Sequence, residues 1–465
     1  MVEGVSQVKV NFFTKEQDEG LQVSEAPVYV PVNLKRYGLS EIVNHLLNRD
    51  IDNEDQKPIP FDFLIEGAFL RNSLEDYLVK NGLSNEAFLH LEYTRAVLPP
   101  SFLASFSDED WVSSVATINP KSKAATESNL QISQPQILAG SYDGIVRTYN
   151  SSGKVTKQFS GHSMAVRAVE WISPTRIVSS GNDRQLRLWK ISNDDFEDDE
   201  DTEEGKTLAI LEGHKAPVVS LALDHQSNKI LSAGYDNMIG LWSTNYKEMA
   251  AIQVDESDPN VISTASKKRK KMAIKDSSVR RRAPLAMMGG HKLPVESIVF
   301  DANEPSIAYS VSQDHSIKTW DLVTQRCVDS RSTDYPLLSL LQLPSSNLLV
   351  CGSSARHINI YDPRITSATR ELFKNTKLVG HKNFVVGLSK DPLNDNVFAS
   401  CSHDGTVKIW DIRSENALFT ITREEKSASK SHNKVLDVDW DQDIGIVSGG
   451  EDKTIQINSR PSFAN

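Results

Sequence analysis

SHDGTVKIWD (402–411) decides how the rest of the chain is read. Asp404 stands six residues before Trp410, and Val407 and Ile409 alternate with polar neighbours between them. The alternation has the two-residue period of a strand, and Asp-Gly is a tight-turn dipeptide. The same figure returns at GNDRQLRLWK (181–190), GYDNMIGLWS (234–243) and SQDHSIKTWD (312–321). Weaker copies are SYDGIVRTYN (141–150), GSSARHINIYD (352–362) and GEDKTIQIN (450–458), which makes seven. Asp143, Asp183, Asp236, Asp314, Asp404 and Asp452 hold the same place, and the fifth copy has Ala355 there. Trp189, Trp242, Trp320 and Trp410 close the strong copies, and Gly-His pairs ending in His162, His214, His291 and His381 precede them.

A period of about 40–45 residues with these features is that of WD40 repeats. Each repeat supplies four short antiparallel strands. The Asp in the turn between the second and third strands can hold the imidazole of the Gly-His pair. That imidazole can reach a Ser or Thr on the second strand and then the Trp, so polar groups buried between blades are satisfied. The fold expected is mainly β: a seven-bladed propeller. The chain reaches Asn465 soon after the third strand of the last repeat. The missing fourth strand must then come from upstream, and SFLASF (101–106) lies in the right place, ahead of WVSSVATI (111–118).

The first hundred residues follow another pattern. QVKVNFFT (7–14) alternates like a strand, and LQVSEAPVYVP (21–31) can pair back on it. LKRYGLSEIVNHLLNR (34–49) reads as a helix with Ser40 as N-cap and Leu39, Ile42, Val43, Leu46 and Leu47 on its apolar face. FDFLIEG (61–67) is a strand, SLEDYLVKNGL (73–83) a short helix and AFLHLEY (87–93) a last strand. This order resembles the ubiquitin β-grasp, an α+β fold. Leu98-Pro99-Pro100 marks the boundary, giving a ubiquitin-like domain at 1–97 and the propeller at 98–465. Because the chain runs on, this domain is a built-in docking module rather than a conjugated modifier.

The net charge of −11 argues against a generic coat for nucleic acid, which needs concentrated Lys and Arg. Three scattered cysteines fit a reducing compartment. The start of the chain has no basic-then-apolar signal pattern, and no apolar run long enough for a membrane span occurs. Two charged insertions, 191–206 and 253–286, widen the spacing between copies two, three and four. The first holds DDFEDDEDTEEG (194–205), a run that normally stays solvated, or else mimics nucleic acid or repels a wrong partner. The second holds Lys267, Lys268, Arg269, Lys270 and Lys271, followed by Arg280, Arg281 and Arg282. Two basic clusters with a short spacer make a nuclear import signal. The plainer alternative is a flexible charged loop, and contact with rRNA phosphates is compatible with either.

Taken together, VNLKRYGLSEIVNHLL, PFDFLIEG, EYTRAVLPPSFL, YSVSQDHSIKTWDLVT and SHDGTVKIWD resemble one family across the whole chain. It is the WD-repeat large-subunit (60S) assembly factors with an N-terminal Notchless-like (NLE) ubiquitin-like domain, the propeller members of the PeBoW complex, in their fungal form. The resemblance implies a non-catalytic protein of the nucleolus and nucleoplasm. It would act in rRNA maturation with pescadillo and the block-of-proliferation WD40 protein on pre-60S particles. It also implies that the ubiquitin-like domain docks on the MIDAS domain of the AAA+ ATPase midasin, which removes the factor. The residue matching the family's metal-contacting glutamate is Glu86, in GLSNEAFLHLEY. It would complete the coordination of a Mg²⁺ held by the partner, and this chain would hold no cofactor or metal alone.

Two other readings share the plan. A Notchless-type factor would carry eight repeats, against seven here. A ubiquitin-ligase substrate receptor would need an F-box or an adaptor-binding motif, and neither is present. No GxSxG, HExxH or GxxxxGK[ST] occurs, and the repeats account for the His and Asp residues, so no enzyme is expected.

Overall fold

The computed structural model describes residues 6–16, 18–24, 26–49, 58–191, 203–252, 276, 278–365, 376–423 and 433–459. Two compact units divide at Pro99–Pro100.

In the first unit, β1 (Gln7–Phe13) buries Val8, Val10 and Phe12 on one face, as its two-residue period requires. It pairs antiparallel with β2 (Val28–Pro31) and parallel with β5 (Phe88–Arg95). β3 (Phe61–Ile65) lies on the other side of β5, and β4 (Ala68–Phe69) forms the edge, giving the order β2-β1-β5-β3-β4. Helix α1 (Arg36–Leu46) lays Leu39 and Val43 on this sheet, closing a core with Phe61, Phe63, Leu91 and Tyr93. Burial of each large side chain contributes about 1.5–3 kcal/mol. The arrangement is a β-grasp.

Two details differ from the sequence reading. The second strand begins only at Val28, because Leu21 ends a 3-10 turn (Glu19–Leu21) and Pro27 offers no N–H to a ladder. Ser40 is not the N-cap of α1. The helix starts a turn earlier, after Lys35, and the Ser40 hydroxyl accepts the N–H of Phe61 at 3.1 Å. Asn44, one turn on, donates to Ile59 O at 2.7 Å and accepts its N–H at 2.9 Å. These two polar residues face the incoming strand, not the helix end. Helix α2 (Leu74–Lys80) does carry a capping box, between Ser73 and Asp76.

The described residues of the second unit form seven sheets, each the blade of a propeller. The inner strands are Val112–Ile118, Val166–Ser173, Val218–Asp224, Val295–Phe300, Leu337–Leu343, Val385–Lys390 and Val435–Asp441. Each opens on a fully buried Val or Leu. Trp189 packs with Ala116 and Leu138 of the preceding blade, and Trp242 with Val178 and Leu186, so each ring fills the gap between neighbouring sheets. The seventh blade takes its outer strand from upstream. β6 (Ser101–Ser107) pairs antiparallel with Thr454–Ser459, Phe106 opposite Ile455.

Both charged insertions end in a short strand laid parallel on the outer edge of a preceding blade. Glu203–Glu204 pairs with Lys157 and Gln158, and the Ser160 hydroxyl donates to Glu204 at 2.9 Å. Arg280–Arg282, read from sequence as part of a loop, pairs with Ala209, Ile210 and Leu211. An outer strand leaves one row of backbone groups unpaired, and these segments satisfy it. Lys267, Lys268, Arg269, Lys270 and Lys271 lie outside the described residues.

Candidate interaction sites

In four blades the structure brings Asp, His, Ser and Trp into one chain of hydrogen bonds. His162 Nδ1 is 2.8 Å from Asp183, its Nε2 is 2.8 Å from Ser179 Oγ, and Trp189 Nε1 donates to that Oγ at 2.8 Å. His214, Asp236, Ser232 and Trp242 repeat the arrangement. So do His291, Asp314, Ser310 and Trp320. His381, Asp404, Ser400 and Trp410 complete the set. An indole N–H only donates, so the serine oxygen accepts from Trp and gives its own proton to Nε2. The imidazole is then neutral and its Nδ1–H points at the carboxylate. Burial lowers the pKa of His291, in keeping with the neutral form.

Burial would raise the Asp314 carboxyl. The Ser316 hydroxyl, the Lys292 N–H and His291 outweigh it and hold the group down at about 2. Asp404 is likewise held well below the usual carboxylate range against its burial, by His381, the Thr406 hydroxyl and the Lys382 N–H. A depressed folded pKa stabilises the fold above the unfolded value of roughly 3.9 and ceases to as pH falls through the folded value. Asp404→Ala strands the His381 N–H and two backbone donors, at a cost of about 1–3 kcal/mol. In denaturant titrations at pH 7 the midpoint should fall, and the deficit relative to wild type should shrink between pH 4 and pH 2. An unchanged midpoint at pH 7 would show that the network contributes nothing.

Asp143 and Asp452 do not join such a chain, contrary to the reading from the repeats. Asp143 is paired with Arg147 at 2.6 Å, and Arg147 also meets Asp108 at 2.7 Å. Asp108 follows β6 as His162 follows the outer strand Val155–Ser160, so an acid stands in the histidine's place and an arginine joins the two carboxylates. In the seventh blade Arg423 replaces histidine, 2.5 Å from Asp452 and 3.1 Å from Ser448 Oγ. The fifth blade has Cys351, Ala355 and Tyr361 in the Ser, Asp and Trp positions, and His357 turns to the Ala355 carbonyl at 2.9 Å.

A cavity of about 600 Å³ lies among the inner strands of the propeller, lined by Glu170, Asp437 and Asp439 among others. Asp437 accepts the N–H of Val115 at 3.0 Å, and Asp439 those of Thr117 at 2.8 Å and Trp440 at 2.9 Å. Burial, reinforced by the neighbouring acids, pushes Glu170 up to about 8 and Asp437 up to about 7. The sequence reading missed these groups. The signal for Asp437 and Asp439 was VLDVDWD (435–441), where Asp alternates with apolar residues on an inner strand. These two seam the last blade to the first, while Glu170 stands on the inner strand of the second. Among the described residues no group of His, Cys, Asp or Glu is placed to hold a metal ion, and no helix is long and apolar enough to cross a membrane.

Glu86 lies in the turn before β5, closed by the Ala87 N–H on Ser84 O at 3.0 Å. Asn85 braces the turn on Ser6 at 2.7 Å. Glu86 is exposed, and its carboxylate has no partner among the described residues. Of the second basic cluster, Arg280 bonds the Tyr246 hydroxyl at 2.6 Å and lies 5.2 Å over its ring, while Arg281 pairs with Glu212 at 2.9 Å. These side chains are engaged with the propeller.

Residues 8–78 match the family model described as the NLE (NUC135) domain. Residues 153–190, 205–243, 282–321 and 373–411 match that of the WD domain, G-beta repeat. These four stretches end at Trp189, Trp242, Trp320 and Trp410 or within a residue of them, the blades with a complete Asp–His–Ser–Trp chain. The molecule is thus a WD-repeat protein with an N-terminal NLE domain.

It is 69% identical over 459 residues, 98% of each chain, to the ribosome biogenesis protein YTM1 of Debaryomyces hansenii. To the Candida albicans protein of that name it is 63% identical over 465 residues, 99% of each chain, and to that of Kluyveromyces lactis 58% over 456 residues, 97% of each. The chain belongs to this family of ribosome biogenesis proteins.

Proposed function

We propose that the chain is a non-catalytic assembly factor of the large ribosomal subunit. In this reading the propeller joins pescadillo and the block-of-proliferation WD40 protein on pre-60S particles in the nucleolus and supports rRNA maturation. The NLE domain offers Glu86 to the MIDAS domain of midasin. The observation that carries this is the exposed, unpartnered carboxylate on a braced turn. A MIDAS Mg²⁺ demands near-octahedral oxygen ligation, and a carboxylate from a partner can fill its open position. Glu86 lies beyond the residues matched to the NLE model, so the proposal rests on the family resemblance of GLSNEAFLHLEY and on the exposure of this carboxylate. For nuclear import, Lys267, Lys268, Arg269, Lys270 and Lys271 are the stronger candidates, because Arg280, Arg281 and Arg282 are tied to the second blade.

Purification of the tagged chain from nuclear extract, followed by protein identification, tests this. Large-subunit precursor proteins, pescadillo and the block-of-proliferation protein should be recovered together. Recovery of a cullin ligase in their place would favour the substrate-receptor reading and overturn this one.

A further inference from the structure

The turn that carries Glu86, the strand β5 and the closing strand β6 follow one another along the chain. Tension between Glu86 and the propeller therefore loads β5 and β6 in series, through Ala96–Pro100, and the weaker of the two yields first. β5 is the middle strand of its sheet, paired with β1 on one side and β3 on the other. It buries Leu89, Leu91 and Tyr93. β6 is an outermost strand with one partner, and none of its residues is fully buried. Phe102 and Leu103 are 63% and 58% exposed. Its one contribution to a core is Phe106, which rests on Gly153, a φ +80° position where a Cβ would meet the ring. In the other six blades the outermost of the four strands continues from the same blade's third strand, whereas the seventh borrows its own from the far end of the chain.

We infer that force applied at Glu86 peels β6 from the seventh blade before it unfolds the N-terminal domain. The propeller then loses its closure as the first event of removal. The peel halts at Asp108, which the buried Arg147 holds. This rests on the reading that a partner pulls at Glu86, and it adds that the pulled domain is wired to the strand that closes the ring.

Single-molecule pulling on the full chain tests it without any ATPase. Thioether-linked handles go on Glu86→Cys and on the exposed native Cys327, while Cys351 and Cys401 are buried. The expected trace shows a first low-force step releasing roughly 25 Å of chain, the seven residues of β6 at about 3.6 Å each, before any larger rupture. Ser101 and Ser459 are directly opposed at the end of the ladder where the peel begins, so Ser101→Cys with Ser459→Cys, oxidised before labelling, should abolish that step, and reductant should restore it. Phe106→Ala should lower its force. A first step that persists in the oxidised variant, or a first rupture of the size of the N-terminal domain with β6 still paired, would overturn the inference. Either result leaves docking at Glu86 untouched, because that is read separately by binding.

Discussion

Glu86→Ala should reduce binding to the isolated MIDAS domain of midasin by about thirtyfold to several hundredfold. The residue is exposed and pairs with nothing described, so its removal leaves the β-grasp core and the Asn85–Ser6 brace in place. On the proposed metal bridge, what would be lost is one oxygen ligand to the partner's Mg²⁺. Truncation of a central charged anchor of an interface costs about 2–4 kcal/mol or more, and each 1.4 kcal/mol is a factor of about ten. Glu86→Gln keeps the shape and removes the charge, and should fail nearly as badly. Glu86→Asp draws the carboxylate back by one methylene and should fail in large part, since a fixed metal does not follow it. The measurement is titration calorimetry with Mg²⁺ and again with chelator, alongside circular dichroism to show that the variants are folded. Equal affinity of wild type and Glu86→Ala, or binding indifferent to chelator, would rule out the metal bridge. The variant should still enter pre-ribosomal particles through its propeller.

Much of this was legible in the sequence because the repeat carries its own chemistry. An Asp in a turn, a Gly-His upstream and a Trp six residues on must meet if four strands fold into a blade, and in four blades they do. The closing strand was legible by elimination, since the last repeat lacks a fourth strand and SFLASF stood unassigned. What the residues did not reveal was substitution by function rather than by type. Asp108 and Arg423 occupy histidine positions, but neither follows a Gly, and an arginine that replaces a neutral imidazole puts a charge on both partners. Ser40 misled because a hydroxyl near a helix start looks like a cap, whereas its partner is a strand 21 residues away in sequence. The Arg280–Arg282 strand was hidden because basic runs are usually solvated, and only the unpaired edge of the second blade gives these residues a ladder to join.

The arginine in the seventh blade should be among the most sensitive residues in the protein. Arg423 is 8% exposed. Its guanidinium spans the blade, from Asp452 to the hydroxyl and carbonyl of Ser448 and on to the Thr454 carbonyl at 3.2 Å. Thr454 opens the strand to which β6 is paired, so this one side chain ties the turn, the second strand and the third strand of the blade that closes the ring. Gly450 makes room for it, since a Cβ there would lie 2.5 Å from Nη1. Arg423→Ala leaves the Asp452 carboxylate with the Thr454 N–H but without its cation, and takes the guanidinium donor from the Ser448 carbonyl. Breaking a buried pair by removing one partner costs about 3–5 kcal/mol, more than the loss of a neutral hydrogen bond. Replacing both partners, Arg423→Leu with Asp452→Leu, leaves no orphaned charge and should cost less than Arg423→Ala alone. Urea denaturation of the single and double variants gives the comparison. If Arg423→Ala shifts stability by less than about 1 kcal/mol, or if the double variant is the less stable of the two, the closing blade is held by its strands and not by this ion pair.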